Sequence, residues 1–292
     1  MRCMINLKRF LLGIFIVLFA WSIVFSGQTS TGDERLEELQ QIKGRFTFAV
    51  IGDTRSGDDT YRKIVNMVMK HKPAFVINLG DVVRRPGSLS DWKRFRELSS
   101  PVTVPYFLAP GNHDAADEES ERIFREQVAL PGNGLYYSFS AGNSLFVVLD
   151  SYLAGHKREI SGEQTDWLAD VLKTAGKRHK FVFLHHPLYS DRLSLSGTLA
   201  GHPKKRDRLR DLLEFYSVDA VFAGHLHLYQ RKVFDGLTQI ISGGGGAPLI
   251  AEDEQGGFFH FILMTVDGET VSGEVIDLDG KVKDRFTLDG RK

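Results

Sequence analysis

The sequence predicts an α/β (α+β) fold of two packed, mixed β-sheets flanked by helices, and three observations predict it. Short apolar runs, each closing on a polar cluster, alternate with stretches of helical periodicity. Runs this continuous read as strands buried on both faces, and their alternation with helices implies βαβ units. The tail from Val233 changes to a strand–turn–strand pattern, with Asp267-Gly268 and Asp279-Gly280 as hairpin turns.

The N-terminus stands apart from this pattern. Arg2, Lys8 and Arg9 precede or open an apolar run that ends at Phe25, and Ser26 and Gly27 follow. A positive start, an apolar stretch and a small-residue exit form an export signal. The run is short of the ~20 residues that cross a bilayer comfortably, so residues 1–26 read as a signal peptide or as a membrane anchor. In either case the domain is expected to be exported, periplasmic or extracellular, touching a membrane only through this segment if it stays uncleaved. The only cysteine, Cys3, lies ahead of the apolar run, which fits an oxidising compartment. Residues 27–44 are polar and read as a linker with one helical turn around Leu36 to Ile42. The domain itself is expected over 45–292.

Within that domain five runs stand out: Phe46–Ile51 before Gly52-Asp53, Ala74–Leu79 before Gly80-Asp81, Pro105–Ala109 before Gly111-Asn112-His113-Asp114, Phe181–Leu184 before His185-His186, and Ala220–Ala223 before Gly224-His225-Leu226-His227. Helical spacing marks Thr60–Lys70, where Ile64, Val65, Val68 and Met69 share a face, and also Asp91–Leu98, Glu118–Val128, Gly162–Lys173 and Lys205–Tyr216. Later strands are expected at Lys232–Phe234, Thr238–Ser242, Phe258–Val266, Thr270–Ile276 and Val282–Leu288.

In open α/β sheets, ligands bind beyond the carboxyl ends of the strands. Here all five runs end in Asp, Asn or His. Any one of these alone is a weak signal, because an Asp after a strand is usually a cap or turn residue. Together they gather carboxylates, an amide and imidazoles. Such a mixed oxygen and nitrogen set suits Mn, Fe, Zn or Co better than Ca or Mg. The pair His225 and His227, two residues apart on an extended segment, points to one side.

Charge narrows the partners. Lysine plus arginine number 37 against 37 acids, so no polyanion partner is indicated. The basic cluster from Lys204 to Arg210 is interleaved with Asp207 and reads as a solvated helix face. A small phosphoester substrate fits this balance, and no specific nucleic acid is expected. Nothing in the sequence fixes the oligomeric state.

The order GD…GD…GNHD…HH…GHLH resembles the calcineurin-like metallophosphoesterase superfamily. Further details resemble its purple acid phosphatase branch: Tyr136-Tyr137-Ser138-Phe139, Val148-Leu149-Asp150-Ser151, Gln164 with Trp167-Leu168, Tyr229 with Arg231, and Ile241-Ser242 followed by the glycines 243–246. The likeness covers about residues 45 to 250. It implies a four-layer αββα sandwich and a binuclear centre of two divalent ions, Mn, Fe or Zn. Asp81 would bridge the metals, Asp53 and His227 would hold the first, and Asn112, His185 and His225 the second. The implied activity is phosphoester hydrolysis by a metal-bound hydroxide, with His113 as proton donor and Asp114 orienting it.

Two positions depart from the resemblance. Asp53-Thr54-Arg55 stands where the superfamily usually has Asp-x-His. Arg84 stands three residues after Asp81, where Asp, Asn or, in purple enzymes, Tyr is usual. Guanidinium has no free lone pair to offer a metal. Arg55 and Arg84 are therefore expected to bind substrate phosphate, with a salt bridge to a nearby carboxylate as the blander reading. The first metal position is expected to be the weaker, and no purple colour is expected. The rival of another class is a noncatalytic metal-binding or ligand-binding protein on the same fold. Tyr189, Arg192 and His202 are lesser candidates for lining a pocket.

Overall fold

The structure is a computed structural model that describes residues 32–191 and 197–288. The export segment at 1–26, residues 27–31 and Arg192 lie outside the described residues. Among those described, no helix is long and apolar enough to cross a membrane.

The elements run α1 (Gly32–Gln40), β1 (Phe46–Ile51), α2 (Asp58–Lys70), β2 (Phe75–Asn78), α3 (Leu89–Ser99), β3 (Tyr106–Leu108), α4 (Glu118–Gln127), β4 (Tyr137–Ala141), β5 (Ser144–Val148), α5 (Glu163–Thr174), β6 (His179–Leu184), α6 (Pro203–Phe215), β7 (Ala220–Ala223), β8 (Tyr229–Phe234), β9 (Leu237–Ser242), β10 (His260–Asp267), β11 (Thr270–Asp277) and β12 (Val282–Leu288). They form two six-stranded sheets, ordered β12-β11-β10-β1-β2-β3 and β4-β5-β6-β7-β9-β8. In the first, β1, β2 and β3 are parallel and β10 runs against β1. In the second, β5, β6, β7 and β9 are parallel and β4 and β8 are antiparallel edges.

The inner faces meet in a core rich in phenylalanine: Phe48, Phe75, Phe139, Phe146, Phe181 and Phe183. Phe48 stacks on Phe75 at 5.2 Å and meets the edge of Phe146 at 5.1 Å. Such pairs add ~0.5–1.5 kcal/mol beyond the area they bury, and truncating one to alanine costs about 3–5 kcal/mol. Because a strand alternates its faces, Ala49 and Ile51 point the other way. There they pack with Ile64 and Val65 of α2, Trp92 of α3 and Phe124 of α4. The second sheet does the same with Leu168 and Leu172 of α5 and Leu209 and Leu213 of α6. The result is the four-layer αββα sandwich.

Three elements differ from the sequence expectation. The stretch expected as a linker carries the nine-residue α1. Its Leu39 is buried in the inter-sheet core, and its carbonyl accepts the Gly142 N–H at 2.9 Å. This part of the polar segment belongs to the folded unit. The hairpin of β4 and β5 was not among the expected strands. Tyr137-Ser138-Phe139-Ser140-Ala141 alternates apolar with polar, and burial alternates with it; a search for continuous apolar runs does not register that period.

Candidate metal centre

The five expected ligand segments leave the carboxyl ends of β1, β2, β3, β6 and β7, and the turns that follow bring them together. Asp53, Asp81 and His225 all hold positive φ, at 57°, 56° and 67°. A non-glycine residue in this region costs of order 1–3 kcal/mol and persists where surrounding bonds over-determine it. Those bonds are present. Asp53 N donates to the Gly80 carbonyl at 3.0 Å, Arg55 N to the Asp81 carbonyl at 3.0 Å, and His225 N to Asp53 Oδ2 at 2.8 Å. Glycine is required where backbones crowd the carboxylates. A Cβ on Gly111 would lie 2.3 Å from Asp81 Oδ1, and one on Gly243 would lie 2.2 Å from the Leu226 carbonyl oxygen.

Partners fix the imidazole tautomers, since a carbonyl can only accept. His185 Nδ1 donates to the Leu79 carbonyl at 2.8 Å, which leaves Nε2 bare. That Nε2 lies 3.2 Å from Asn112 Oδ1, 3.2 Å from His225 Nδ1 and 3.4 Å from Asp81 Oδ1. A cation bonded to N and O ligands at about 2.0–2.2 Å separates neighbouring ligand atoms by roughly 3–3.5 Å. The donor set of the second position therefore fits a divalent ion. Burial, reinforced by His185, pulls His225 down to about 3, so its ring is neutral, as a ligand must be.

The first position is poorer. His227 Nδ1 donates to the Pro248 carbonyl at 2.7 Å, and its Nε2 faces Asp53 Oδ1 at 3.4 Å. Asp53 Oδ1 is buried without a hydrogen-bond partner. The carboxylate shared by the two positions is already engaged on this side: Asp81 Oδ2 receives Arg55 Nε at 3.2 Å. Burial raises Asp81, but the charges of His185 and His113, the His113 N–H and Arg55 outweigh it, and its carboxyl sits below the ordinary value.

Asp114, expected to orient the His113 ring, has other partners in the structure. Its carboxylate accepts from the backbone N–H groups of Asp81 (2.7 Å), Val82 (2.8 Å), Val83 (3.1 Å) and Gly111 (2.9 Å). Asp114 thus ties the turn after β2 to the turn after β3. Burial, and then the Asp81 charge, push it up to about 7. The ring of His113 is held instead by Nδ1 donating to the Arg84 carbonyl at 2.7 Å, with Nε2 turned toward Asp81 Oδ2 at 4.0 Å.

Arg55 and Arg84 both line a cavity of about 560 Å³, with Thr54, Asp58, Val83 and Arg94; none of the six candidate ligands is in its lining. Arg55 makes the salt bridge to a nearby carboxylate, Asp81, that its blander reading expected. Tyr189 and His202 take other roles: Tyr189 bonds Asp207 and Arg210, and His202 faces Glu159.

Three supporting residues were not among the candidate site residues, although His186 belongs to the His185-His186 motif. His186 is buried against His225 with ring centroids 4.2 Å apart, and its Nδ1 lies 3.1 Å from Ser151 Oγ. Burial, then His185 and His225, hold it well below its ordinary value. Asn78, buried at the end of β2, accepts the Gly80 N–H at 3.0 Å and shapes the turn before Asp81; an Asn in an otherwise apolar run was its signal. His260 backs the glycine run, with its Nε2 3.0 Å from Ser242 Oγ.

Comparison with known proteins agrees with this arrangement. Residues 46–229 match the calcineurin-like phosphoesterase family. The chain is 30% identical to purple acid phosphatase 23 of Arabidopsis thaliana over 223 residues, 70% of this chain and 45% of that one. It is 32% identical over 200 residues to the 3',5'-cyclic adenosine monophosphate phosphodiesterase CpdA of Pseudomonas aeruginosa, covering 65% of this chain and 69% of that one. The fold is similar to that of the purple acid phosphatase PPD1 from yellow lupin seeds, with a TM-score of 0.73 at 20% identity, over 85% of this chain and 54% of that one. The chain spans about half the length of the plant phosphatases it matches.

Proposed function

Because this chain belongs to the calcineurin-like phosphoesterase family, we propose that it is a metal-dependent hydrolase of small phosphoesters. The observation that carries this reading is the convergence of Asp81 Oδ1, Asn112 Oδ1 and His225 Nδ1 on the bare Nε2 of His185. A divalent ion bound there, Mn, Fe or Zn, would supply a Lewis acid that draws charge from phosphoryl oxygen and acidifies water.

The chain's own groups do the rest. Asp81, Asn112, His185 and His225 would hold the ion. His113 has committed Nδ1–H to the Arg84 carbonyl, so Nε2 is the end that carries a proton to the leaving oxygen. Arg55 and Arg84, on the cavity wall, offer planar N–H pairs to phosphate oxygens. Relatives named as phosphatases and as a cyclic nucleotide phosphodiesterase support a small phosphoester, as does the balanced charge. Export through residues 1–26 belongs to the same reading, and fractionation of cells expressing the chain tests it.

The experiment is hydrolysis of mono- and bis-nitrophenyl phosphate by the purified full-length chain loaded with Mn, Fe or Zn. Turnover is expected with at least one metal and is expected to collapse in His113→Ala at unchanged metal content. No hydrolysis under any metal, or equal rates in the variant, would favour a noncatalytic metal-binding protein.

A further inference from the structure

Building on that metallophosphoesterase reading, we infer that the Arg55 guanidinium takes the place of the first metal, so that the centre binds one divalent ion tightly and carries its second positive charge in the chain itself.

The Asp81 carboxylate is divided between two cationic positions. Oδ1 faces His185 Nε2 at 3.4 Å, while Oδ2 receives Arg55 Nε at 3.2 Å. A metal at the first position would have to draw on that same carboxylate. It would also stand beside a guanidinium that cannot lose its proton. The remaining side-chain donors there are Asp53 Oδ1 and His227 Nε2, fewer than the three protein ligands of an ordinary catalytic zinc position.

The backbone that carries Arg55 is held in place. Its own N–H donates to the Asp81 carbonyl. The following turn, with Ser56 at φ 67°, is pressed against the glycine run so closely that a Cβ on Gly57 would lie 2.0 Å from the Gly246 carbonyl oxygen. The side chain is 18% exposed, and it borders the cavity that Arg84 also lines. With Nε committed to Asp81, the two terminal nitrogens are the groups left for a substrate phosphate. They would neutralise the oxygens that a first metal neutralises in a binuclear centre. Arg55 is thus both the ion-pair partner of Asp81 and the phosphate-binding group.

Equilibrium dialysis of the full-length chain against Mn²⁺, followed by elemental analysis and electron paramagnetic resonance, tests this without an activity readout. The wild type is expected to hold one Mn²⁺ per chain with the spectrum of an isolated ion. Arg55→His, which supplies an imidazole and removes the fixed charge, is expected to hold two with an exchange-coupled spectrum. Two tightly held ions in the wild type, or a folded Arg55→His that still holds one, overturns the inference and leaves the hydrolase reading intact. No tightly held ion in the wild type overturns both. If Arg55→His fails to fold, Arg55→Gln repeats the test: weak uptake of a second ion supports the inference, and no second uptake overturns it.

Discussion

The two halves of the centre are built from the same kinds of residue yet are ready for different work. In the half made by Asn112, His185 and His225, every imidazole nitrogen aimed inward is bare or neutral, and no fixed cation intrudes. In the half made by Asp53 and His227, Arg55 already holds the shared carboxylate. There His227 moves the opposite way from His225: burial pulls it down, but the Asp53 carboxylate beside it outweighs that and raises it. The difference teaches that a ligand inventory does not define a metal site. What counts is whether the lone pairs remain uncommitted once neighbouring cations are placed.

The largest effect that would sharpen this contrast is metal loss. His185→Ala should abolish tight binding and activity, a loss beyond the ~10–100-fold that follows removal of an outer partner. His227→Ala should keep the tight ion. Equal loss of metal from both variants, measured by elemental analysis, would make the two halves equivalent and break the comparison. Next, His113→Ala should lower kcat by roughly 10²–10⁴-fold without changing metal content; a kinetic comparison at matched occupancy checks it.

Asp114 probes the ties that hold the two halves in register. Replacing it with alanine leaves four backbone N–H groups without their acceptor. At ~1–3 kcal/mol for each buried group left unsatisfied, and with water entering part of the space, about 3 kcal/mol of destabilisation is expected by denaturant titration. An unchanged midpoint with a His113-like loss of kcat would restore the orienting role that the geometry denies it. The smallest effect belongs to Arg84→Ala. The substitution keeps the carbonyl that holds His113 and removes only an exposed guanidinium, so KM should rise a few-fold, as for exposed ion pairs worth ~0–1 kcal/mol, with kcat unchanged. A fall in kcat as large as that of His113→Ala would show that the side chain and not the carbonyl matters.

A control lies outside both halves. Asp150 is buried and raised to about 8, by burial first and by Glu121 among its neighbours, with Arg125 opposing. Its folded value exceeds its unfolded one, so the native state keeps the proton that the unfolded chain releases. That contribution to stability is lost as pH rises from about 4 to about 8. The melting temperature of Asp150→Asn relative to wild type should therefore increase across this window; a constant difference would show that Asp150 ionises freely in the native state.

Much of this was legible in residue order. The sequence by itself determined the strand ends and the six candidate ligands, because apolar periodicity and terminal Gly-Asp or Gly-His pairs are written in side-chain chemistry. It also exposed Arg55 and Arg84 as departures, since side-chain identity alone rules out ligation. The β4 strand, with its weaker alternating pattern, and the docking of α1 were less legible, because burial of α1 depends on a sheet edge distant in sequence. Only the tertiary structure decided the commitments within the centre. Asp114 serves four backbone donors instead of His113, the Arg84 carbonyl holds that ring, and Arg55 turns onto Asp81. These choices depend on backbone groups and left-handed turns brought together from separate strands. Every residue carries the same N–H and C=O, so their partners are set by position in space and leave no mark on the sequence.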